Sequence, residues 1–254
     1  MKAIFSGRPT LALIGIAALP LVLTACSSAG SSGAGTSAPP SSTAASAAST
    51  ASAASTASAA AADPDSGLPT GSQLKADLIT AGIPAGYALD SGNSVDTGSD
   101  YQAPSADATS PGCADLDATG WVDMTGYGSV SFAQNDYIDK DTSEEFAQEI
   151  DAYQGTTAQE VMTALAKISA KCPSFTDSST SSTVKVSAVT GSSLGDGTVV
   201  ITLADSQWES PTTLEAVRVG HSVITVLSSA NSGSATFAQK MSAEITAKLK
   251  AGAN

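Results

Sequence analysis

A chain of 254 residues with 24 acidic and 11 basic side chains carries a formal net charge of −13. Charge of that sign and size repels phosphate backbones and excludes nucleic acid as a partner, and it leaves no basic patch to hold an anionic membrane surface. With one histidine, His221, and three cysteines, Cys26, Cys113 and Cys172, a histidine-based metal site is excluded as well, and no cofactor is expected.

The chain opens on Met1, Lys2 and Arg8, followed by an apolar run from Leu11 to Leu23. This is the anatomy of a secretory signal peptide over residues 1–25. The run is shorter than the roughly 20 residues that span a bilayer, and Pro20 interrupts it, so a permanent transmembrane helix is the weaker reading. It closes on Leu23-Thr24-Ala25-Cys26, which resembles the lipobox cut by bacterial lipoprotein peptidases immediately before the cysteine. By that resemblance Cys26 becomes the first mature residue and carries a thioether-linked diacylglycerol. Two acyl chains at about 0.8 kcal/mol per buried methylene hold a protein stably on a membrane. Loss of Lys2 and Arg8 with the leader takes the mature charge from −13 to −15.

Residues 27–62 contain only Ser, Ala, Thr, Gly and Pro. Such a tract lacks the apolar surface to form a core and reads, with Cys26, as a tether over 26–62. As a coil its reach is roughly 30 Å. The folded part then runs from Asp63 to Asn254, a length suited to one domain. In the oxidising compartment that the leader implies, the remaining pair Cys113 and Cys172 predicts a disulfide. The 59-position loop it closes is worth about 4 kcal/mol on the chain-entropy model.

Leu74, Leu78 and Ile79 share one face of a helix predicted over 72–81, with Gly82 at its left-handed end and Pro84 beyond. A long loop rich in Gly, Ser, Asp and Pro covers 90–123. Val130 and Phe132 alternate with Ser129 and Ser131 in a strand over 127–135. Thr142 and Glu145 have capping-box spacing for a helix that lines up Phe146, Ile150 and Tyr153. Thr157 and Glu160 repeat the spacing for a second helix, carrying Val161, Met162, Leu165 and Ile168 up to Cys172. Four strands follow, around 184–188, 199–203, 214–219 and 223–227, the last two joined by a tight turn at Gly220 and His221 of type II′. Apolar groups at both parities of Val223–Leu227 predict a central strand covered on both sides. Phe237, Met241, Ile245 and Leu249 give a C-terminal helix. The fold class is α+β: an antiparallel sheet of about five strands with helices packed on it and one disulfide.

The segment Leu78-Ile79-Thr80-Ala81-Gly82-Ile83-Pro84-Ala85-Gly86-Tyr87 resembles the opening of the PknH-like extracellular sensor domain, found on actinobacterial receptor kinases and on free lipoproteins. A cysteine before the first strand, a second after the long helix, Leu194-Gly195-Asp196 and Val217-Arg218-Val219-Gly220 follow in the same order, so the similarity covers residues 72–250. The resemblance implies one disulfide-braced α+β domain with a cleft for an unidentified ligand. This chain departs from the kinase sensors in having cysteines for one disulfide where they carry two, and it has no kinase motifs.

Three patterns carry catalytic or binding chemistry on paper. Gly191-Ser192-Ser193-Leu194-Gly195 matches G-x-S-x-G, with Asp205 and His221 in the chain order of an α/β-hydrolase triad. That motif requires a strand, a strained elbow and a helix, whereas here it lies between two short strands and reads as a hairpin loop. Asp90, Asp96, Asp100, Asp107, Asp115 and Asp117 lack the spacing of a calcium loop and read as solvated acids. Trp121, Tyr127, Trp208 and Tyr101 read as core or rim aromatics, with the lining of a cleft as the sharper alternative. The expectation is a membrane-anchored extracytoplasmic lipoprotein without catalytic activity, acting as a sensor-like domain that takes a small-molecule or protein ligand. The rival is a structural or assembly accessory of the cell envelope working through protein contacts.

Overall fold

The computed structural model describes residues 63–104, 111–142, 144–191, 193–229 and 233–252. The leader, Cys26, the tether, Ser192 and Asp107 lie outside them. Among the described residues no helix is long and apolar enough to cross a membrane.

The α+β class holds, and the sheet is larger than expected. Eight strands run antiparallel: β1 (Tyr87–Asp90), β2 (Ser131–Asp139), β3 (Glu145–Ala152), β4 (Ser174–Thr176), β5 (Thr183–Gly191), β6 (Gly197–Ala204), β7 (Thr212–Val219) and β8 (Ser222–Ser228). Their spatial order is β1-β2-β3-β8-β7-β6-β5-β4. The chain therefore lays down β1 to β3, crosses to the far edge through α2 (Thr157–Leu165) and α3 (Ile168–Lys171), and meanders back until β8 closes against β3. All seven residues of β8 are buried, as a central strand with cover on both faces requires.

The principal correction falls on the helix expected from Thr142 to Tyr153. Within that range Glu145–Ala152 form β3, the second strand of a hairpin with β2. Thr142 is part of the hairpin turn, where Asp139 Oδ1 accepts from the amides of Asp141 and Thr142. Glu145–Ala152 pair with β2 on one side and β8 on the other, so hydrogen bonding across the sheet overrides the local helical spacing. The first predicted strand starts at Ser131, not 127, and runs on to Asp139. The two edge strands β1 and β4, only four and three residues long, escaped the sequence reading. The second predicted helix is broken at Ala166–Lys167 into α2 and α3, and its N-cap is Thr156.

Helix α1 (Gly71–Asp77) opens with a capping box in which the Thr70 hydroxyl accepts from the Gln73 amide and the Gln73 carboxamide accepts from the Thr70 amide. It stops four residues before the expected end. Gln148 of β3 accepts from the Ile79 amide at 2.9 Å and donates to the Ile79 carbonyl, to which Tyr137 OH also donates at 3.1 Å. Three sheet-borne hydrogen bonds thus draw Ile79 off the helical path. Lys248 of the C-terminal helix α4 (Ser234–Gly252) covers the freed end, donating to the carbonyls of Ala76 and Leu78.

The sheet divides the core in two. On one face α1 and α4 pack over Ala133, Tyr137, Phe146, Ile150, Val217, Ile224 and Val226. On the other, α2 and two 3-10 turns, Cys113–Asp117 and Trp121–Thr125, pack over Ala147, Val199, Ile201, Leu214, Ala216 and Leu227. The β7–β8 turn has the expected two-residue form, with Gly220 at φ +59° and His221 outside the left-handed region.

Glu215 on β7 points beneath α4 and is 3% exposed. Burial pushes its carboxyl up to about 6, against a lesser opposing pull from the Ser242 hydroxyl. A carboxyl raised in the folded state favours folding fully below its ordinary range and loses that contribution as pH rises through the folded value. Glu215→Gln is therefore expected to stabilise the protein by about 2 kcal/mol at pH 8 and to leave stability at pH 4 unchanged, as read from denaturant unfolding at the two pH values.

Candidate functional site

The disulfide is formed between Cys113, at the start of the first 3-10 turn, and Cys172, just past α3, with Cα atoms 5.6 Å apart. It ties the long 90–123 segment to the helical cover of the sheet, and Cys172 is buried in the core that this cover encloses.

The triad residues are not brought into one constellation. Gly191–Gly195 lies in the β5–β6 hairpin, with no helix following, so no nucleophile elbow is built around Ser193. Asp205 accepts from the Ser182 hydroxyl and from the Gln207 amide. His221 is exposed, and its Nδ1 lies 3.0 Å from the Gly155 carbonyl oxygen.

The loop acids shape the chain around them. Asp90 accepts from the Gly92 amide and Asn93 side chain, Asp115 accepts from the Gly112 amide, and Asp96 pairs with Lys75 at 2.7 Å while accepting from the Gly98 amide. The Lys75 hydrogen bond holds the Asp96 carboxyl below its ordinary value. Asp100 and Asp117 both lie at the surface, but the Asp117 carboxyl, turned toward the body of the domain, is pushed up to about 7 by burial first and by the charge of Asp177 second, so it is not a plain solvated acid. Among the described residues no group of three or more His, Cys, Asp or Glu side chains is arranged to hold a metal ion.

The four aromatics serve separate contacts. Trp121 is 1% exposed and belongs to the core, whereas Tyr127 stands at the surface. Tyr101 OH donates to the Leu68 carbonyl, and Trp208 Nε1 donates to Asp177 Oδ2 at 3.1 Å, clamping the β6–β7 turn onto the β4–β5 hairpin. Burial works to raise the Asp177 carboxyl, but donors from Ser179, Thr180 and Trp208 outweigh it and hold it at about 2. Two of the short segments quoted above also meet: the Asp196 amide donates to the Arg218 carbonyl at 2.7 Å, and Asp196 Oδ2 accepts from the Gly220 amide. A Cβ on Gly195, at φ +55°, would overlap the Arg218 carbonyl.

The most polar part of the interior went unread in the sequence. Register places Asp136 of β2 and Glu145, Glu149 and Asp151 of β3 on the same sheet face as Ala147 and Leu227, under the 3-10 turns. Asp136, Glu149 and Asp151 are each 2% exposed or less. A crevice at this face, lined by Thr119, Trp121, Gln134, Ala147, Glu149 and Thr225, is closed to a water-sized body. Phe146 and Ile150 are also in phase at period two, and Asp139-Lys140-Asp141 before them is a turn signal. Those features carried the information that a hairpin, and hence a buried acidic strand, lies here.

No family model, no curated protein and no solved structure matches the chain.

The disulfide yields a direct measurement. Replacing both Cys113 and Cys172 by serine is expected to lower unfolding free energy by about 4 kcal/mol at most, since the bridge closes a loop of 59 positions. Denaturant titration of the oxidised protein, the reduced protein and the double variant checks this, with the latter two expected to unfold alike.

Proposed function

We propose that the chain is a membrane-anchored extracytoplasmic lipoprotein, held through diacylglycerol on Cys26, whose domain over 63–254 is a sensor-like binding module without catalytic activity. The observation that carries this is the succession of three features: a lipobox-like Leu23-Thr24-Ala25-Cys26, then 36 residues without a charge or an aromatic ring, then a disulfide-braced domain. Each suits an exported, tethered protein: lipid holds the sulfur, a coil of roughly 30 Å carries the domain clear of the headgroups, and an oxidising compartment keeps Cys113 and Cys172 joined. The order of short motifs resembling PknH-like sensor domains supports a binding role for the domain.

One observation favours the rival reading of an envelope accessory that works through protein contacts. The crevice beneath Trp121 is closed, whereas on the side of the sheet that carries α1 and α4 the outward residues of β5, Thr183, Lys185, Ser187 and Val189, are exposed, Val189 at 68%. Recognition on such a face uses surface rather than an enclosed cavity.

Replacing Cys26 by serine in a bacterial host is expected to abolish fatty-acid labelling and to move the protein out of the membrane fraction. Labelling and fractionation identical to the parent would overturn the anchor. Native mass spectrometry of protein taken from its own membrane then separates the two readings, a co-purifying lipid or small molecule favouring a ligand and a bound protein favouring the accessory role.

A further inference from the structure

Four carboxyl groups meet on one face of β1, β2 and β3. Asp90 and Asp136 are direct cross-strand partners, and Glu145, which pairs with Ile138, and Glu149, which pairs with Gln134, are the two diagonal neighbours of Asp136 on the same face. Cross-strand partners hold their Cβ atoms about 5 Å apart and diagonal ones about 7–8 Å, within reach of carboxyl side chains. Asp136 has no exposed surface. Its Oδ1 accepts from Gln134 Nε2 at 2.9 Å, but its Oδ2 is buried with no hydrogen-bond partner, and so is Oε1 of Glu145. The charges that act on this pair are all negative: Asp90 and Glu145 on Asp136, and Asp117 from the first 3-10 turn together with Asp90 on Glu145. A buried, half-bonded carboxyl among like charges is stable only while it keeps its proton.

The element beside this pair is a short edge strand with a neighbour on one side only. Strand β1 has four residues, lies at the edge and pairs with β2 alone. The segment after it hangs on the same strand: the Val95 and Gln134 backbones exchange two hydrogen bonds, the Thr97 amide donates to the Phe132 carbonyl, and Ser94 Oγ accepts from the amide of Asp136 itself. We infer that Asp136 and Glu145 form a proton-operated latch, closed while they are neutral, whose ionisation releases β1 and residues 91–97 from the edge of β2.

Burial first, and the neighbouring acids second, push Asp136 up to about 8 and Glu145 up to about 7. Both groups are raised in the folded state, so the closed edge is fully stable below the ordinary carboxylate range and weakens as pH rises through about 7 to 8. The latch thus operates near neutrality and opens toward alkaline pH.

Hydrogen–deuterium exchange of the full chain, corrected for the intrinsic pH dependence of exchange, tests this. Protection in peptides covering 87–97 is expected to fall about tenfold or more between pH 6 and pH 9, while peptides covering 212–228 keep theirs. The double variant Asp136→Asn/Glu145→Gln is expected to hold 87–97 protected at both pH values. Unchanging protection in the parent, or the same loss in the variant, would sink the latch. A carboxyl-carbon NMR titration of Asp136 in the parent protein decides independently of whether the variant folds: a midpoint near neutrality supports the latch, and one in the ordinary range near 4 overturns it.

Discussion

Strands β3 and β8 lie side by side at the centre of the sheet, and every residue of β8 is buried. A strand in that position must be covered on both faces, and the remaining elements supply the two covers. Helices α1 and α4 lie on one side, with Lys248 of the later helix fastened to the carbonyls at the end of the earlier one. On the other, α2 and two short 3-10 turns take the place of a long helix. Turns of five residues have few hydrogen bonds of their own, which is why the bond between Cys113 and Cys172 matters: it holds irregular chain against a core that includes Trp121, Leu165 and Leu203.

The parts that were legible in the amino-acid order are those whose local pattern agrees with their surroundings. Strands β5 to β8 alternate or run apolar as their cover demands, Gly220 marks its turn, and Phe237, Met241, Ile245 and Leu249 mark α4. The parts that were not legible are those where distant residues decide. Thr142, Glu145, Phe146, Ile150 and Tyr153 satisfy a helical template, yet the ladders to β2 and β8 take the segment into the sheet. Likewise α1 ends where Gln148 and Tyr137 capture Ile79, not at the glycine three residues further on. The site followed the same rule. The disulfide was readable from cysteine number and compartment, whereas the acids of β2 and β3 became interior groups only once a hairpin had been recognised in place of a helix.

Those acids set the chemical character of the domain. An interior that holds Asp136, Glu149, Asp151 and Glu215 is dearer in stability than an apolar one, and the raised carboxyls of Asp136 and Glu215 show where the strain is electrostatic. The exterior is acidic too, with a chain charge of −13. Like charge inside and outside therefore opposes compaction, and burial of apolar surface in the two cores has to outweigh it.

The route by which β8 reaches β3 also bears on how the protein comes into being. Positions such as Ala147 and Leu227 are partners across 80 residues of chain, and the closing strand and its covering helix are the last parts of the domain to be made. Until they arrive, β3 presents an open edge and neither half of the core is sealed. Closure of the sheet therefore waits on a pairing of high sequence separation, and the folding of the domain is governed by its longest-range ladder, not by its local helices.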